Sequence, residues 1–183
     1  MRSAWAFLPA LGGALVHAPI LRYDLLPHLK VPLDGGAAPG GTRLLGDNKT
    51  ARGALAMAGG TFAATLALHR FDWYRRRLPA ELRAAGAVHH GTVLGAAVVL
   101  GELPNSILKR RLGIAPGARL RSAPGIALAI HDQADFVLGA WPLFLPVWRM
   151  SARELAEAFV TVAAVHLGVN LAGCALGART AAL

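Results

Sequence analysis

Long apolar runs separated by polar stretches dominate the sequence. Five runs lie at about residues 4–21, 54–68, 87–100, 132–148 and 155–178. A helix needs roughly 20 residues to cross the hydrocarbon core of a bilayer, so the runs predict an all-α, polytopic integral membrane protein with about five transmembrane helices. Arg2 would also suit a signal peptide, but the later apolar runs favour a spanning helix. We interpret residues 1–183 as a single transmembrane domain.

The fourth run needs polar residues to reach spanning length. Residues 136–148, FVLGAWPLFLPVW, are too few on their own, so the helix is expected to begin near Asp132. Asp132 and Asp135 would then lie at the start of the helix, at or just below the membrane interface. Acidic groups at that depth are energetically unfavourable and usually have a partner or a function.

Composition supports the membrane class and limits the partners. Apolar residues make up 55% of the chain and charged residues 16%, whereas soluble domains carry about 25% charged residues. The formal net charge of +9 is concentrated in a few loops, where basic groups bind anionic headgroups or polyphosphates. No nucleic-acid partner is expected, because basic, aromatic-rich surfaces are absent. The single cysteine, Cys174, excludes an intramolecular disulfide and a cysteine-only zinc site.

The distribution of positive charge predicts the orientation. With five spans, the loops at residues 22–53 and 102–122 share one side of the membrane with the C-terminus, and that side carries eleven cations against eight on the other. The positive-inside rule favours the cytosol for these loops. Heavy use of Ala, Gly and Arg suggests a bacterial gene, and hence the bacterial inner (cell) membrane. The eleven cations are Arg22, Lys30, Arg43, Lys49, Arg52, Lys109, Arg110, Arg111, Arg119, Arg121 and Arg179.

The first motif is GDNKTARG, residues 46–53. Glycines followed by Lys49-Thr50 resemble a phosphate-binding loop, but that motif needs a preceding β-strand, which the PGG before it does not predict. A soluble nucleotidase is therefore not favoured. A topology-setting basic anchor, with a helix cap at Asp47 or Asn48, is the plain alternative.

The spacing of the motif also suits a polyphosphate ligand. Lys49 and Arg52 are three residues apart, so on an opening helix they would share a face. Gly46 and Gly53 would allow close backbone approach. Taken alone, this stretch is compatible both with a polyphosphate-binding site and with a topology-setting basic anchor.

The second motif is GELPNSILKRRLGIAPG, residues 101–117. Glu102 ends the third apolar run, and Pro104 is expected to break the helix. Asn105 or Ser106 would cap a new short helix that presents KRR, residues 109–111, at its far end. An acid followed by three cations suits a metal-bound phosphate, and snorkelling cations at the end of a span are the alternative.

Two further motifs place polar groups in apolar surroundings. In HDQADF, residues 131–136, the i, i+3 spacing predicts that Asp132 and Asp135 point the same way from a helix and can hold Mg²⁺. The alternative is a pair of acids that complement the helix dipole. In HLGVN, residues 166–170, His166 and Asn170 share a helical face, and we interpret them as interhelical hydrogen-bonding groups.

Taken in order, the motifs GDNKTARG, GELPNSILKRRLGIAPG, HDQADFVLGA and HLGVN resemble the CDP-archaeol synthase family. These small membrane cytidylyltransferases are distantly related to the CDP-diacylglycerol synthases. The resemblance implies a five-helix protein that transfers CMP from CTP to a lipid phosphate and releases pyrophosphate, with Mg²⁺. The chain departs from the family at Glu102, where Asp is usual, at Pro104-Asn105, and at Ile107 and Ala51, where aromatic residues are usual.

The resemblance also implies roles for particular residues. We expect Mg²⁺ at Asp132 and Asp135 together with Glu102, or with Asp47 in its place. The lipid phosphate is already ionised, so positioning and electrostatic stabilisation, not a strong general base, should supply most of the rate. The expected catalytic residues are Lys49, Lys109, Asp132 and Asp135. The residues expected to bind CTP and the lipid phosphate are Gly46, Asp47, Lys49, Thr50, Arg52, Gly53, Asn105, Ser106, Lys109, Arg110 and Arg111.

Two other functions compete with this interpretation. A CDP-alcohol phosphotransferase would use related substrates, but its signature of four spaced aspartates is absent. A non-enzymatic membrane protein, such as a transporter or assembly subunit, would use the basic loops only to set topology. The expected partners are CTP, a membrane lipid phosphate and the bilayer. The product is left open between a CDP-archaeol-like and a CDP-diacylglycerol-like lipid, and a homodimer is left open as well.

Overall fold

The structure is built from helices, as the apolar runs predict. The computed structural model describes residues 2–115, 131–132 and 134–175. Two single-turn 3₁₀ helices, Pro27–Leu29 and Pro39–Gly41, lie in the connection of residues 23–50, which we call loop 1. The α-helices in chain order are α1 Arg2–Trp5, α2 Ala10–Arg22, α3 Ala51–Leu68, α4 Asp72–Arg75, α5 Ala80–Leu100, α6 Glu102–Arg111, α7 Asp135–Phe144 and α8 Ala152–Ala175.

Four helical stretches in the described part of the chain are long and apolar enough to cross a membrane: Arg2–Arg22, Ala51–Leu68, Ala80–Arg111 and Ala152–Leu171. The fourth predicted span differs, because α7 has only ten residues and begins at Asp135, not near Asp132. The all-α membrane fold is thus confirmed with four long helices and one short one. The end of the predicted fifth span and the cations Arg119, Arg121 and Arg179 lie outside the described residues.

The third span is longer than predicted because α6 follows α5 with only Gly101 between them. Gly101 has helical angles, φ −64° and ψ −30°, so α5 continues directly into α6. Pro104 lies in the first turn of α6, where proline is tolerated. The prediction that Pro104 breaks the helix and that Asn105 or Ser106 caps a new one is therefore wrong.

Loop 1 folds against α6. The Nε of Arg110 donates to the carbonyl oxygen of Leu45 at 3.2 Å, and Nη1 of Arg111 donates to that of Pro39 at 3.2 Å. These contacts put loop 1 and α6 at the same end of the bundle, in agreement with the predicted pairing of the first and third loops.

A series of buried hydrogen bonds lies at the opposite end of the helix bundle. Nε2 of His90 lies 2.8 Å from the carbonyl oxygen of Ala6, and Nδ1 of His90 lies 3.0 Å from Nε2 of His69. Because a carbonyl only accepts, Nε2 of His90 carries the proton of the hydrogen bond to Ala6. Beside these hydrogen bonds the rings of Trp5 and Trp73 meet edge to face, 6.1 Å between centroids. Such aromatic pairs are typical of a membrane–water interface.

The junction of α5 and α6 packs on α7 through two glycines. A Cβ placed on Gly139 would lie 2.3 Å from the Cα of Gly101. Small residues let helix backbones approach in membranes, where dispersion and not the hydrophobic effect drives helix packing. Since Glu102 follows Gly101 and Asp135 lies one turn before Gly139, this contact brings two acidic residues to the same end of a helix pair.

We expect Gly139→Ala to destabilise the protein by about 1–3 kcal/mol, because the new methyl group forces α7 away from Gly101. Thermal unfolding in detergent micelles measures the loss. The matched control is Gly59→Ala in α3, since a Cβ there would meet nothing within 4 Å. Equal unfolding temperatures for the two variants would contradict the close packing of α7.

Candidate active site

A mostly apolar cavity between the helices ends at three acidic side chains. The cavity has a volume of about 310 Å³, and residues of α1, α2, α7 and α8 line it. Glu102, Asp132 and Asp135, which we call the acidic cluster, form its polar wall. A second cavity of about 400 Å³ also touches Asp135 and Asn105. Apolar cavities with a few convergent polar groups are typical of ligand sites.

Asn105 joins the two aspartates. Its Nδ2 donates to a carboxylate oxygen of Asp132 and, at 3.3 Å, to Oδ2 of Asp135. Asp132 precedes α7 and Asp135 is the first residue of α7, so the pair does not share one helical face as predicted. The two carboxylates meet because α6 supplies an amide that reaches both of them.

Two lysines neutralise part of the acidic cluster. Lys49, at the end of loop 1, pairs with Glu102, and Lys109 of α6 pairs with Asp132. Asn105 and Lys109 are four residues apart on α6 and so share a face. Two ammonium groups against three carboxylates leave one excess negative charge when all are ionised. The structure therefore brings together residues from three separate segments of the chain: Lys49, then Glu102, Asn105 and Lys109, then Asp132 and Asp135.

The oxygen donors in this cluster fit a divalent cation. Oδ1 of Asn105 is buried and has no hydrogen-bond partner among the described residues. It belongs to the amide that contacts Asp132 and Asp135. Mg²⁺ is usually bound by one or two carboxylates, with waters and phosphates completing the shell. Within the described residues no group of three or more His, Cys, Asp or Glu is placed to hold a metal, so the binding of Mg²⁺ at Glu102, Asp132 and Asp135 stays a prediction.

Arg52 does not join this cluster. It is 4% exposed, and its Nη1 donates to Asp24 at 2.6 Å and to the carbonyl oxygen of Leu25 at 2.8 Å. The prediction that Arg52 and Lys49 share a helical face is wrong, because α3 begins at Ala51 and Lys49 precedes it. Arg52 instead fastens the start of loop 1 to α3.

The two arginines that follow Lys109 also point elsewhere. Arg110 is buried, and it donates to the carbonyl oxygens of Leu45 and Ile114. Arg111 is exposed and contacts the backbone of Pro39. Their predicted binding of phosphates stays a prediction, but in this structure both hold loop 1 against α6.

The remaining predicted binding residues have other contacts or stay untested as substrate contacts. Thr50 caps α3, since its Oγ1 accepts from the N–H of Gly53 at 3.2 Å. The predicted cap at Asp47 or Asn48 is therefore wrong. Asp47 is exposed and accepts from Arg43 at 2.7 Å, whereas Glu102 lines the cavity, which favours Glu102 in the acidic cluster. Gly46 and Ser106 are buried, and their contact with substrate stays a prediction.

Sequence reasoning missed Asp34, whose side chain is 0% exposed. It accepts from Arg43 at 2.8 Å and from the backbone N–H of Leu45 and Gly36, each at 3.0 Å. Hydrogen bonds from the Arg43 guanidinium and then from the Leu45 N–H hold the pKa of this carboxyl far below its usual range. The Asp-Gly-Gly sequence is a turn signal that could have drawn attention to it.

Comparison with known proteins shows the family to which the chain belongs. The family model described as CarS-like: CDP-archaeol synthase matches residues 29–182. The CDP-archaeol synthase of Aeropyrum pernix is 36% identical over 152 residues, 81% of this chain and 76% of that protein. The chain belongs to the CDP-archaeol synthase family. The CDP-archaeol synthase of Halobacterium salinarum is 34% identical over 161 residues, 81% of each chain.

A solved structure supports the CDP-archaeol synthase assignment at the level of the fold. An intramembrane enzyme for archaeal membrane lipids biosynthesis is similar over 91% of each chain, with a TM-score of 0.64 and 27% identity. The predicted resemblance is confirmed, and so is the integral membrane location. The relatives are archaeal, so they give no support to the bacterial inner membrane that the composition suggested.

For this CDP-archaeol synthase family member we expect Arg52→Ala to loosen loop 1. Tryptic cleavage after Lys30, measured on the membrane-embedded protein, should become about tenfold faster, because a charge-assisted hydrogen bond that holds the loop is lost. Arg83→Ala, which removes an exposed arginine from α5, is the control and should leave the rate unchanged. An unchanged rate in Arg52→Ala would contradict the structural role.

Proposed function

We propose that the acidic cluster, Lys49 and Lys109 form the active site, and that the protein joins CMP to the phosphate of an ether-type lipid with Mg²⁺ present. As a CDP-archaeol synthase family member, the protein is a CTP-dependent cytidylyltransferase that forms a CDP-lipid. The observation that carries the site assignment is the meeting of carboxylates and lysines at the polar end of a membrane cavity. A non-enzymatic role for the basic loops is not favoured.

The shape of the cavity suits a lipid phosphate. Its apolar wall, with Trp5, Leu11 and Val165 among its residues, can contact hydrocarbon chains, and its acidic end adjoins both lysines. A lipid oriented with its chains between the helices would present its phosphate at this end. The same end adjoins loop 1, through which a water-soluble nucleotide can approach.

The lysine pairs supply cations for two anionic reactants. Lys49 and Lys109 each contact a carboxylate in the ligand-free protein. A triphosphate carries more negative charge than either partner, so each ammonium would exchange its carboxylate for phosphate oxygens when CTP enters. Charge-assisted hydrogen bonds of this kind are the strong ones in proteins. The exchange makes nucleotide binding depend on both lysines.

The carboxylates of the acidic cluster would hold Mg²⁺. Asp132 and Asp135, with the Oδ1 of Asn105 beside them, fit the oxygen ligands of this ion, and Glu102 is the third acidic side chain of the site. When bound, Mg²⁺ would neutralise the triphosphate and the charge that grows on the leaving pyrophosphate.

The chemistry needs positioning and charge stabilisation from the protein. An oxygen of the lipid phosphate attacks the α-phosphorus of CTP, the new P–O bond forms, and the bond from the α-phosphorus to the bridging oxygen breaks to release pyrophosphate. The attacking oxygen is already ionised, so no proton has to be removed from it. Lys49 and Lys109 would orient the two phosphates and stabilise the charge that moves between them.

The site is proposed to face the cytosol. CTP is a cytosolic nucleotide, and loop 1 and α6, which flank the site, carry most of the cations that the positive-inside rule places there. The opposite end of the bundle, with His69 and His90, has no role in this reaction.

We expect Asp132→Asn and Asp135→Asn to lower Mg²⁺-dependent CMP transfer by about 10²–10³-fold while the protein still inserts into the membrane. Labelled CTP and a lipid phosphate in detergent provide the assay. Asp72→Asn removes an exposed acid that pairs with Arg75 and serves as the matched control. Full activity in either cluster variant would exclude that aspartate from the site.

The lipid specificity is tested with a panel of lipid phosphates. We expect CDP-lipid formation to be fastest with an archaeal ether-lipid phosphate, because the family relatives are CDP-archaeol synthases. Phosphatidic acid of matched chain length is the comparison substrate. Faster turnover of phosphatidic acid would move the assignment to a CDP-diacylglycerol-like product.

A further inference from the structure

Asp34 is the centre of a hydrogen-bond network in loop 1, which we call the Asp34 network. Its Oδ1 accepts from Gly36 N at 3.0 Å and from Arg43 Nη2 at 2.8 Å, and its Oδ2 accepts from Leu45 N at 3.0 Å and from Gly46 N at 3.4 Å. One carboxylate with no exposed side-chain surface therefore closes a segment of about a dozen residues on itself.

The Asp34 network extends to Lys49 through Gly46. The backbone N–H of Lys49 donates to the carbonyl oxygen of Gly46 at 3.2 Å. Gly46 has φ of 98°, a left-handed conformation that glycine adopts without strain. Gly46, whose N–H donates to Asp34, is therefore also the residue from which the turn to Lys49 starts.

A second set of contacts fixes Lys49 from the other side. The N–H of Leu33, the residue before Asp34, donates to the carbonyl oxygen of Lys49 at 2.8 Å, and Pro32 and Thr50 form a β-bridge. The backbone on both sides of Lys49 thus depends on the segment around Asp34. Asp34 does not line either cavity, so any influence it has on the site passes through the backbone of loop 1, which carries Lys49.

The Asp34 network is also hydrogen-bonded to α6. The carbonyl oxygen of Leu45 accepts from buried Arg110, the residue after Lys109. Loop 1 and the helix that carries Lys109 are therefore joined at the same peptide that Asp34 holds. Displacement of this peptide would move Lys49 relative to Glu102 without changing either side chain.

We propose that Asp34 is a positioning residue that sets the place of Lys49 at the active site through the Leu45–Gly46 peptide. This inference rests on the proposed role of Lys49 in binding phosphate. Asp34 touches no reacting group in this scheme, and its carboxylate acts on the backbone alone.

A double-substitution cycle on the full-length protein in detergent tests the proposal. Asp34→Asn keeps the size of the side chain but replaces one acceptor oxygen with a donor. We expect kcat/KM for CTP to fall about tenfold in Asp34→Asn, but less than about twofold when the same change is made in Lys49→Met. Asp72→Asn should have no effect in either background. Equal losses from Asp34→Asn in both backgrounds, or no loss at all, would overturn the proposal.

A second measurement does not depend on activity. The chain has three lysines, Lys30, Lys49 and Lys109, and the side chain of Lys49 is 23% exposed whereas that of Lys30 is 57% exposed. Acylation with a water-soluble N-hydroxysuccinimide ester, followed by mass spectrometry, gives the labelling rate of each lysine. We expect Asp34→Asn to raise the rate at Lys49 about threefold or more and to leave Lys30 unchanged. An unchanged rate at Lys49 would overturn the proposal.

Two safeguards keep the result interpretable. If Asp34→Asn does not accumulate in the membrane, Arg43→Met is used in its place, because it removes the partly exposed partner of Asp34 in the same network. Its loss of kcat/KM also has to disappear in the Lys49→Met background. If the unsubstituted protein transfers no CMP, the proposed function fails, and the labelling of Lys49 still decides whether Asp34 positions it.

Discussion

Carboxylates inside a bundle of apolar helices have to be neutralised, and the architecture of this protein depends on how that is achieved. Lys49 reaches Glu102 from loop 1, and Lys109 and Asn105 reach the aspartates from α6. An isolated charge at this depth would be unfavourable by several kcal/mol or more. Loop 1 therefore cannot lie free in solvent, because one of the neutralising cations belongs to it.

The basic side chains consequently divide into two kinds. Lys49 and Lys109 contact carboxylates that a ligand can displace, whereas Arg110 donates to backbone carbonyl oxygens and Arg52 donates to a backbone carbonyl oxygen and to Asp24 in loop 1. A guanidinium offers five donors in a rigid fork and can bridge several such acceptors, and an ammonium is a compact charge with free rotation. The guanidinium groups of Arg52 and Arg110 therefore suit holding loop 1 in place, and the ammonium groups of Lys49 and Lys109 suit binding a ligand at the site.

The sequence predicted the fold class and most of the acidic cluster, for physical reasons that act locally. The length of an apolar run is limited by the bilayer, and an aspartate within such a run needs a partner, which identified Asp132 and Asp135. The roles of Arg52 and Arg110 could not be predicted, because their acceptors lie in irregular segments, in loop 1 and just after α6, and no periodicity reveals where such a segment places its acceptor groups. The same limit hid Asp34, whose partners are mainly peptide N–H groups.

The shortness of α7 has a consequence for the lipid around it. Ten residues rise about 15 Å as a helix, half of the roughly 30 Å hydrocarbon core. A short apolar helix is accommodated by thinning of the surrounding bilayer or by flanking side chains that extend to the interface. The packing of α7 is therefore coupled to the thickness of the membrane around it.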